Sequence, residues 1–268
     1  MDTRGRLTKD GIRIYEDADF AGMHKAGRLA AEILDRIIPH IVPGVTTGEI
    51  DKAVEDMVNE AGATSATIGY KGYQHATCIS INHVVCHGIP SEKRLHEGDI
   101  LNIDVTVIVD GWYGDTSRMY AVGNIPRKAE RLIEVTHEAL MRGIEAVKPG
   151  NTFGDIGHAI QTFVEAKRMS VVRDFCGHGL GQVFHAPPNV LHYGRPGKGA
   201  VLEEGMFFTI EPMVNLGRPE TKVLADDWTA VTRDKSLSAQ FEHSIGVTAT
   251  GAEIFTLSPA GRFYPTWG

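Results

Sequence analysis

Cysteine is scarce in this chain, which has three among its 268 residues, at Cys78, Cys86 and Cys176. Three scattered thiols are too few for the disulfide framework of a small secreted protein or for a zinc site built of thiolates. We therefore predict that each thiol is reduced and serves as a small apolar packing residue.

Long apolar runs are missing too. No stretch approaches the roughly eighteen uncharged apolar residues of a transmembrane helix, and residues 1–20 lack the apolar core of a signal peptide. The sequence therefore predicts a cytoplasmic protein with no membrane span.

Runs of lysine or arginine are also absent, and the formal net charge is -7. Both features argue against nucleic acid or a membrane surface as the main partner. Apolar residues, in contrast, are plentiful, at 42% of the chain. Over this length they can bury a large core, in one large domain or in two intimate lobes.

A helix, a Pro-Gly turn and a second helix occur twice. Apolar residues at helical spacing over 17–41 stop at a Pro-Gly pair, after which Thr46 and Glu49 predict a capping box. The same landmarks recur 106 residues later, Thr152 and Asp155 among them. Chance is the competing explanation, since Pro-Gly followed by Thr often begins a helix. We interpret the recurrence as two similar halves in one domain spanning 1–268 with short terminal extensions: about 15–122 and about 123–255.

Each helical pair precedes segments with the composition of β-strands. These segments are residues 66–70, 77–87 and 100–120 in the first half, and 171–176, 206–214 and 239–249 in the second. No strand-helix-strand alternation of the doubly wound type is present. We therefore predict an α+β fold, with antiparallel sheet covered by helices on one side.

Two carboxylates belong to a predicted hairpin. An Asp-Gly pair at 110–111, between alternating apolar residues, predicts a two-residue turn that places Asp115 opposite Thr106 and Asp104 opposite Ser117. All four side chains then share one face, and the carboxylates are diagonal neighbours that one small cation could join. The alternative is that both aspartates lie on solvated strand ends.

Four further residues are candidates for the same site. His178 and His185 lie in a glycine-rich stretch, and Glu211 lies in an apolar strand, where a carboxylate is costly unless it is paired, protonated or bound to metal. Glu242 lies on the polar face of an alternating strand and joins the set only in combination with the others. Buried core histidines, exposed glutamates and a phosphate loop are the alternatives, although the glycines match the dinucleotide fingerprint only in part. An oxygen-rich set with an imidazole and no thiolate suits manganese, iron, cobalt or zinc in a binuclear hydrolase.

At this point the chain resembles a known family, the methionine aminopeptidases of type I. The resemblance rests on six ordered motifs: GYKGYQHATCISIN (69–82), VVCHGIP (84–90), GDILNIDVTVIVDGWYGDTSRMY (98–120), CGHGLGQVFH (176–185), FFTIEPMV (207–214) and WTAVTRDKSLSAQFEHS (228–244). It implies the pita-bread fold, whose two pseudo-symmetric halves agree with the duplication.

The resemblance also implies a metal centre. One divalent ion is expected on Asp115, His178, Glu211 and Glu242, and the other on Asp104, Asp115 and Glu242. The ions could be cobalt, manganese, iron, zinc or nickel.

The implied reaction is removal of the N-terminal methionine from nascent chains with a small second residue. Metal-activated water attacks the scissile amide, and Glu211 shuttles the proton. His87 and His185 are the expected non-ligand histidines, placed to touch the amide and the tetrahedral intermediate.

By the same resemblance, the methionine side chain enters an apolar pocket, with Thr67 at a rim position where many bacterial relatives carry cysteine. The expected wall of this pocket is Tyr70, Tyr73, Cys78, Phe184 and Trp228. Asn82 and Ser238, with the backbone of Val84, resemble a family site for one sodium or potassium ion.

The expected biology follows from the same family. His185 and Glu211 are 26 residues apart, which leaves no room for the helical insertion of type II enzymes, and no zinc-finger extension precedes the domain. A bacterial-style monomer that acts near the ribosome exit region, without binding nucleic acid directly, is therefore expected. The alternatives are a proline-directed peptidase of the same fold and a non-catalytic binding module.

Overall fold

A computed structural model of the chain describes residues 4–263. The first three and the last five residues of the predicted domain 1–268 lie outside the described residues. Among residues 4–263, no helix combines the length and the apolar character needed to cross a membrane.

The helices come in two matching pairs. Within residues 4–263 the α-helices are α1 (Asp17–Arg36), α2 (Thr47–Glu60), α3 (Arg127–Glu145) and α4 (Phe153–Ala166). Helices α2 and α4 have 14 residues each, and each begins at a capping box. In the two boxes, the N–H of Thr46 donates to Glu49 and the N–H of Thr152 donates to Asp155, both at 2.7 Å. The internal duplication is therefore confirmed.

The first helix is shorter than predicted. The apolar pattern over 17–41 continues, but α1 ends at Arg36 and a 3₁₀ turn, Ile38–His40, follows. Pro39 is the physical reason, because proline lacks an N–H and its ring clashes with the carbonyl four residues earlier.

The first half contains a long hairpin. Its strands are β1 (Arg6–Leu7), β2 (Arg13–Ile14), β3 (Thr64–Ser65), β4 (Thr77–Ile81), β5 (Val84–Cys86), β6 (Ile100–Val109) and β7 (Trp112–Ala121). The turn between β6 and β7 has φ values of 50° at Asp110 and 82° at Gly111, as a type I′ turn requires. Thr106 therefore faces Asp115, and Asp104 faces Ser117, in the predicted register.

The second half is built of shorter strands. They are β8 (Ser170–Val171), β9 (Gly177–Gly179), β10 (Ala186–Val190), β11 (Phe207–Ile210), β12 (Met213–Asn215), β13 (Thr221–Val223), β14 (Ala230–Thr232), β15 (Ser238–Gln240), β16 (His243–Val247) and β17 (Ala252–Ile254). The predicted strand 206–214 is interrupted at Glu211 and Pro212, which separate β11 from β12. The predicted strand at 66–70 is wrong, since β3 ends at Ser65 and a 3₁₀ turn, Tyr70–Gly72, follows.

Each helical pair covers its own sheet. In the first half, Leu34 of α1 packs in one buried cluster with Ile103 of β6. In the second half, Ile160 of α4 belongs to a cluster with Phe208 of β11. The order of the largest sheet is β10-β9-β11-β16-β17, so β10 and β17 are its edges. The fold is the predicted α+β class, with helices over antiparallel sheet.

The halves are joined along their strands, and a buried ion pair ties the hairpin to α1 within the first half. β5 of the first half pairs with β14 of the second, and Ser117 on β7 forms a β-bridge with Glu242. Arg118 on β7 donates to Asp35 on α1 at 2.6 Å, and each side chain is only 8% exposed. These contacts hold the hairpin carboxylates against the second sheet.

Candidate metal centre and its pocket

Five acidic and imidazole side chains from separate segments line one cavity. Asp104 lies on β6, Asp115 on β7 and His178 on β9, whereas Glu211 directly follows β11 and Glu242 directly precedes β16. β9, β11 and β16 are neighbours in one sheet, and the bridge from Ser117 to Glu242 attaches the hairpin to it. The topology therefore assembles residues that are up to 138 positions apart.

Three of the five could bind a single ion as they stand. Asp115, His178 and Glu242 each offer a ligand atom, and these atoms lie within 4.8 Å of one another. His178 Nε2 is 3.4 Å from Asp115 Oδ2 and 3.7 Å from Glu211 Oε1. Asp104 lines the same cavity. The pKa of the Glu242 carboxyl is raised by burial, then by the charges of Asp115 and Glu211, and then by the charge of Asp104.

The crowding of carboxylates changes their acidity. Burial, followed by the charges of Asp115 and Glu211, raises the pKa of Asp104 well above its ordinary value. Burial likewise raises the pKa of Glu211 to about 7. Burial alone would lower the pKa of His178, but the carboxylates of Asp115 and Glu211 have the larger effect, so the pKa is raised. Divalent cations would remove the repulsion that produces these shifts.

A second observation also shows that these residues fit a divalent metal. Asp104 Oδ1 is buried, and among residues 4–263 it has no hydrogen-bond partner. A buried carboxylate oxygen without a donor is costly unless a cation satisfies it. Carboxylate oxygens with one imidazole are a ligand set typical of manganese, iron, cobalt or zinc.

Neighbouring side chains fix the orientation of two of the candidate ligands, Asp115 and Glu211. Thr106 Oγ1 donates to Asp115 Oδ1 at 2.7 Å. Thr209 Oγ1 donates to Glu211 Oε1 at 2.8 Å, and Gln240 Nε2 donates to Glu211 Oε2 at 3.3 Å. Such outer contacts set the direction of each ligand atom.

Sequence reasoning missed His192. This side chain is fully buried, and its Nε2 accepts the backbone N–H of Glu211 at 3.0 Å. Burial lowers the pKa of His192 to about 3, so the ring is neutral and holds the Glu211 backbone in place. The alternation with buried Val190 was the available signal, because residues two apart on an extended segment point the same way.

An aromatic wall lines part of the same cavity, which has a volume of about 1040 Å³. The ring centroids of Tyr73 and Trp228 are 4.9 Å apart, as are those of Tyr70 and Phe184. Cys78 pairs with Asp104 across β4 and β6, so the wall adjoins the carboxylates. The other residues predicted for the pocket also line this cavity: Thr67, His87 and His185.

The other two histidines of the cavity, His87 and His185, are neutral at pH 7. Burial, followed by the nearby His178, lowers the pKa of His185 to about 4, and their ring centroids are 4.1 Å apart. Burial also lowers the pKa of His87, whose φ of 55° lies in the left-handed region. A strained backbone of this kind is typical of functional sites.

The residues predicted to bind a monovalent cation lie close together in the fold. The N–H of Ser238 donates to the backbone oxygen of Asn82 at 2.8 Å, and Val84 pairs with Val231 on the adjoining strand. Asn82 Oδ1 accepts the N–H of Ile100 at 3.1 Å.

Comparison with known proteins agrees with this geometry. The profile of metallopeptidase family M24 matches residues 21–249. Methionine aminopeptidase of Rickettsia prowazekii is 56% identical over 257 residues, which cover 96% of this chain and 99% of that protein. The enzyme of the same name from Escherichia coli strain K12 is 54% identical over 248 residues, covering 92% and 94% respectively.

A solved structure is equally similar. The crystal structure of methionine aminopeptidase from Rickettsia prowazekii matches with a TM-score of 0.91 and 57% identity, covering 92% of this chain and 100% of that one. The resemblance read from the six motifs, and with it the pita-bread fold, is confirmed. The chain therefore belongs to metallopeptidase family M24 and, within it, to the methionine aminopeptidases, which are metal-dependent hydrolases.

Proposed function

We propose that the protein removes the N-terminal methionine from newly made polypeptides whose second residue is small. The observation that carries the proposal is the convergence of five side chains in one aromatic-walled cavity: Asp104, Asp115, His178, Glu211 and Glu242. The family supplies the reaction type, and the residues of this cavity supply a chemical role for each step.

Two divalent ions are the proposed cofactor. Asp115, His178, Glu211 and Glu242 would hold one, and Asp104, Asp115 and Glu242 would hold the other; the candidate ions are Co, Mn, Fe, Zn and Ni. When bound, such ions supply Lewis acidity, which lowers the pKa of water and polarises a peptide carbonyl. Four carboxylates crowded in one cavity support two cations rather than one, since a single divalent charge leaves a net negative charge.

Glu211 is the proposed proton shuttle. Its carboxylate is held between Thr209 Oγ1 and Gln240 Nε2, and its side chain is 13% exposed, so water reaches it. Burial raises the pKa of Glu211 to about 7, and acid–base groups work best when their pKa lies near the working pH. Glu211 takes a proton from the attacking water and passes it to the departing amine.

His185 and His87 are the proposed hydrogen-bond partners of the reacting amide. Both imidazoles are neutral, because burial lowers the pKa of each, and a neutral ring still carries one N–H donor. His185 donates to the oxygen that gains negative charge in the tetrahedral intermediate. His87 contacts the scissile amide.

The aromatic wall is the proposed methionine pocket. Rings packed at 4.9 Å leave an apolar surface on which a thioether gains favourable sulfur–aromatic contacts. Thr67 closes the rim, where its Oγ1 donates to the carbonyl of His75 at 2.7 Å. The residues proposed to contact the methionine side chain are Tyr70, Tyr73, Cys78, Phe184 and Trp228.

Several broader assignments accompany this function. We propose that residues 1–268 form a single catalytic domain with halves at about 15–122 and 123–255. We also propose that the protein is a cytoplasmic monomer that meets nascent chains near the ribosome exit without binding nucleic acid directly. A sodium or potassium ion on Asn82, Val84 and Ser238 is a further proposal, to be tested by thermal unfolding in sodium, potassium and choline chloride.

The decisive experiment compares two peptides with manganese-reconstituted protein. We expect free methionine to be released from Met-Ala-Ser and not from Met-Leu-Ser, as measured by chromatography. Equal cleavage of both peptides would remove the preference for a small second residue. Cleavage of neither, or of an Ala-Pro dipeptide instead, would overturn the proposed reaction.

A further inference from the structure

The catalytic cavity extends beyond the reacting end of the substrate. Its volume of about 1040 Å³ lies at the top of the range of about 300–1,000 Å³ for pockets that enclose a drug-sized ligand. The metal-binding residues and the aromatic wall line only part of it. The part of the cavity that is lined by Ile12, Phe153, Leu191, Tyr193, Arg195 and Lys198 is here called the distal lobe.

A tight turn places two cations in the distal lobe. Residues 195–198 read Arg-Pro-Gly-Lys, the N–H of Lys198 donates to the carbonyl of Arg195 at 3.2 Å, and Gly197 has a φ of 70°. Proline second and glycine third, with positive φ, make a type II turn, whose end residues lie within about 7 Å of each other. The guanidinium and the ammonium therefore project from neighbouring positions.

The first turn of α4 holds this turn in place. The N–H of Gly154 donates to the carbonyl of Lys198 at 2.8 Å, and the N–H of Gly197 donates to Asp155 Oδ1 at 3.1 Å. A Cβ on Gly154 would lie 2.4 Å from the carbonyl oxygen of Arg195, so only glycine permits this approach. The backbone positions of Arg195 and Lys198 are therefore set by contacts that leave their side chains free.

Both cationic side chains are exposed and available. Among residues 4–263, neither Arg195 nor Lys198 makes a side-chain hydrogen bond or ion pair. Asp10 and Asp174 also line the cavity, and Asp155 Oδ1 accepts the N–H of Gly197 in the turn. None of these carboxylates forms an ion pair with Arg195 or Lys198 among residues 4–263, so both cations can meet an anionic ligand.

The distance from the reacting amide suits a peptide. His192 contacts the Glu211 backbone at 3.0 Å, and Arg195 follows three residues later, so their Cα atoms are at most about 10 Å apart. An extended substrate advances about 3.3 Å per residue. Residues four to six of the substrate would lie about 10–17 Å beyond the scissile bond, which is compatible with this upper bound and with the length of the two side chains.

We infer that the part of the substrate beyond the scissile bond runs along the distal lobe, and that Arg195 and Lys198 favour chains with aspartate or glutamate at about positions four to six. This inference rests on the proposed function, because it needs a peptide substrate with methionine at the catalytic end. The contact is the same in the bound substrate and in the transition state, so it lowers KM more than it changes kcat.

The test compares two peptides, Met-Ala-Ser-Glu-Glu-Gln and Met-Ala-Ser-Gln-Gln-Gln, with manganese-reconstituted wild-type protein. We expect kcat/KM to be about two- to tenfold higher for the acidic peptide, since exposed ion pairs contribute modestly. The preference should shrink in 0.5 M salt, where screening shortens the range of the attraction to a few ångströms. In R195Q/K198Q the ratio of kcat/KM for the acidic peptide to kcat/KM for the glutamine peptide should fall to about one. R195E/K198E should reverse it in favour of a Lys-Lys peptide.

A matched control removes the same charges elsewhere. Lys128 and Arg131 are exposed, three positions apart on α3, and lie outside the cavity, so K128Q/R131Q should keep the wild-type ratio. If the wild type cleaves both peptides at one rate, the inference is wrong while the proposed function stands. If it cleaves neither, the proposed function itself fails. Weaker binding of R195Q/K198Q to a short single-stranded RNA, with an unaltered peptide ratio, would overturn the inference in favour of an RNA contact.

Discussion

Replacing Glu211 with glutamine should damage catalysis while stabilising the metal-free protein. Glutamine has the shape of glutamate, and both neighbours stay within reach, Thr209 Oγ1 at 2.8 Å and Gln240 Nε2 at 3.3 Å. The substitution removes one negative charge from the crowded carboxylates and removes the group that carries the proton. Catalytic activity should fall whereas stability should rise, and the two can be measured separately.

The loss of activity follows from the role proposed for the carboxylate. A positioned acid–base group contributes about 10²–10⁴-fold to the rate, so kcat for Met-Ala-Ser should fall by that factor in E211Q. Glu204 offers the matched control, because it is exposed and lies outside the cavity. E204Q makes the same chemical change and should retain wild-type turnover.

The gain in stability follows from the raised pKa. Burial raises the pKa of Glu211 from an ordinary 4.5 to about 7. A carboxyl whose pKa is raised by folding contributes its full stabilisation below pH 4.5, and that contribution is lost as the pH rises through 7. The difference corresponds to about 3 kcal/mol, which wild-type protein loses across this range and E211Q does not.

Urea unfolding of metal-free wild type and metal-free E211Q, at pH 5 and pH 8, measures the pH-dependent contribution of Glu211 to stability. We expect the free energy of unfolding of E211Q to gain about 2.5 kcal/mol on that of the wild type between the two pH values, because part of the wild-type stabilisation is already lost at pH 5. A difference that stays constant with pH would refute the assignment of a raised pKa. Near-normal turnover of E211Q would refute the proton shuttle.

Three other predictions concern the pocket, the metals and the buried ion pair. Trp228→Ala should lower kcat/KM for Met-Ala-Ser about tenfold or more, since the ring packs 4.9 Å from Tyr73 in the pocket wall; an unchanged value would exclude it from the pocket. Chelation should abolish methionine release and added manganese should restore it, whereas activity that survives chelation would contradict the metal mechanism. Asp35→Ala leaves Arg118 buried without its partner and should cost about 3–5 kcal/mol in urea unfolding; a loss below about 1 kcal/mol would show that water already reaches the pair.

Local chemistry in the sequence was enough to predict the long hairpin. An Asp-Gly turn of two residues fixes the pairing of every residue behind it, so the opposition of Thr106 and Asp115 followed without tertiary information. The capping boxes at Thr46 and Thr152 likewise gave the starts of α2 and α4. Such signals lie within a few residues of the structure they determine.

Contacts between distant segments set the limit of that reasoning. Nothing near His192 in the sequence indicates that its ring receives the N–H of Glu211, because the contact joins two segments that only the folded sheet brings together. The turn at Tyr70–Gly72 was also missed, since Lys71 adopts a φ of 47° that non-glycine residues rarely take. Strand period placed Asp104 and Asp115 on one face, and residue chemistry made His178, Glu211 and Glu242 candidates for the same site. The assignment of these five residues to two metal positions came only from the family resemblance.

The division of the candidate ligands between the two halves imposes an order on assembly. Asp104 and Asp115 come from the first half, whereas His178, Glu211 and Glu242 come from the second, and Glu242 follows Asp104 by 138 residues. A growing chain therefore displays its hairpin carboxylates long before the partners that complete the cluster exist. The complete set of oxygen and nitrogen donors can form only after Glu242 has been made and the second sheet has packed against the hairpin.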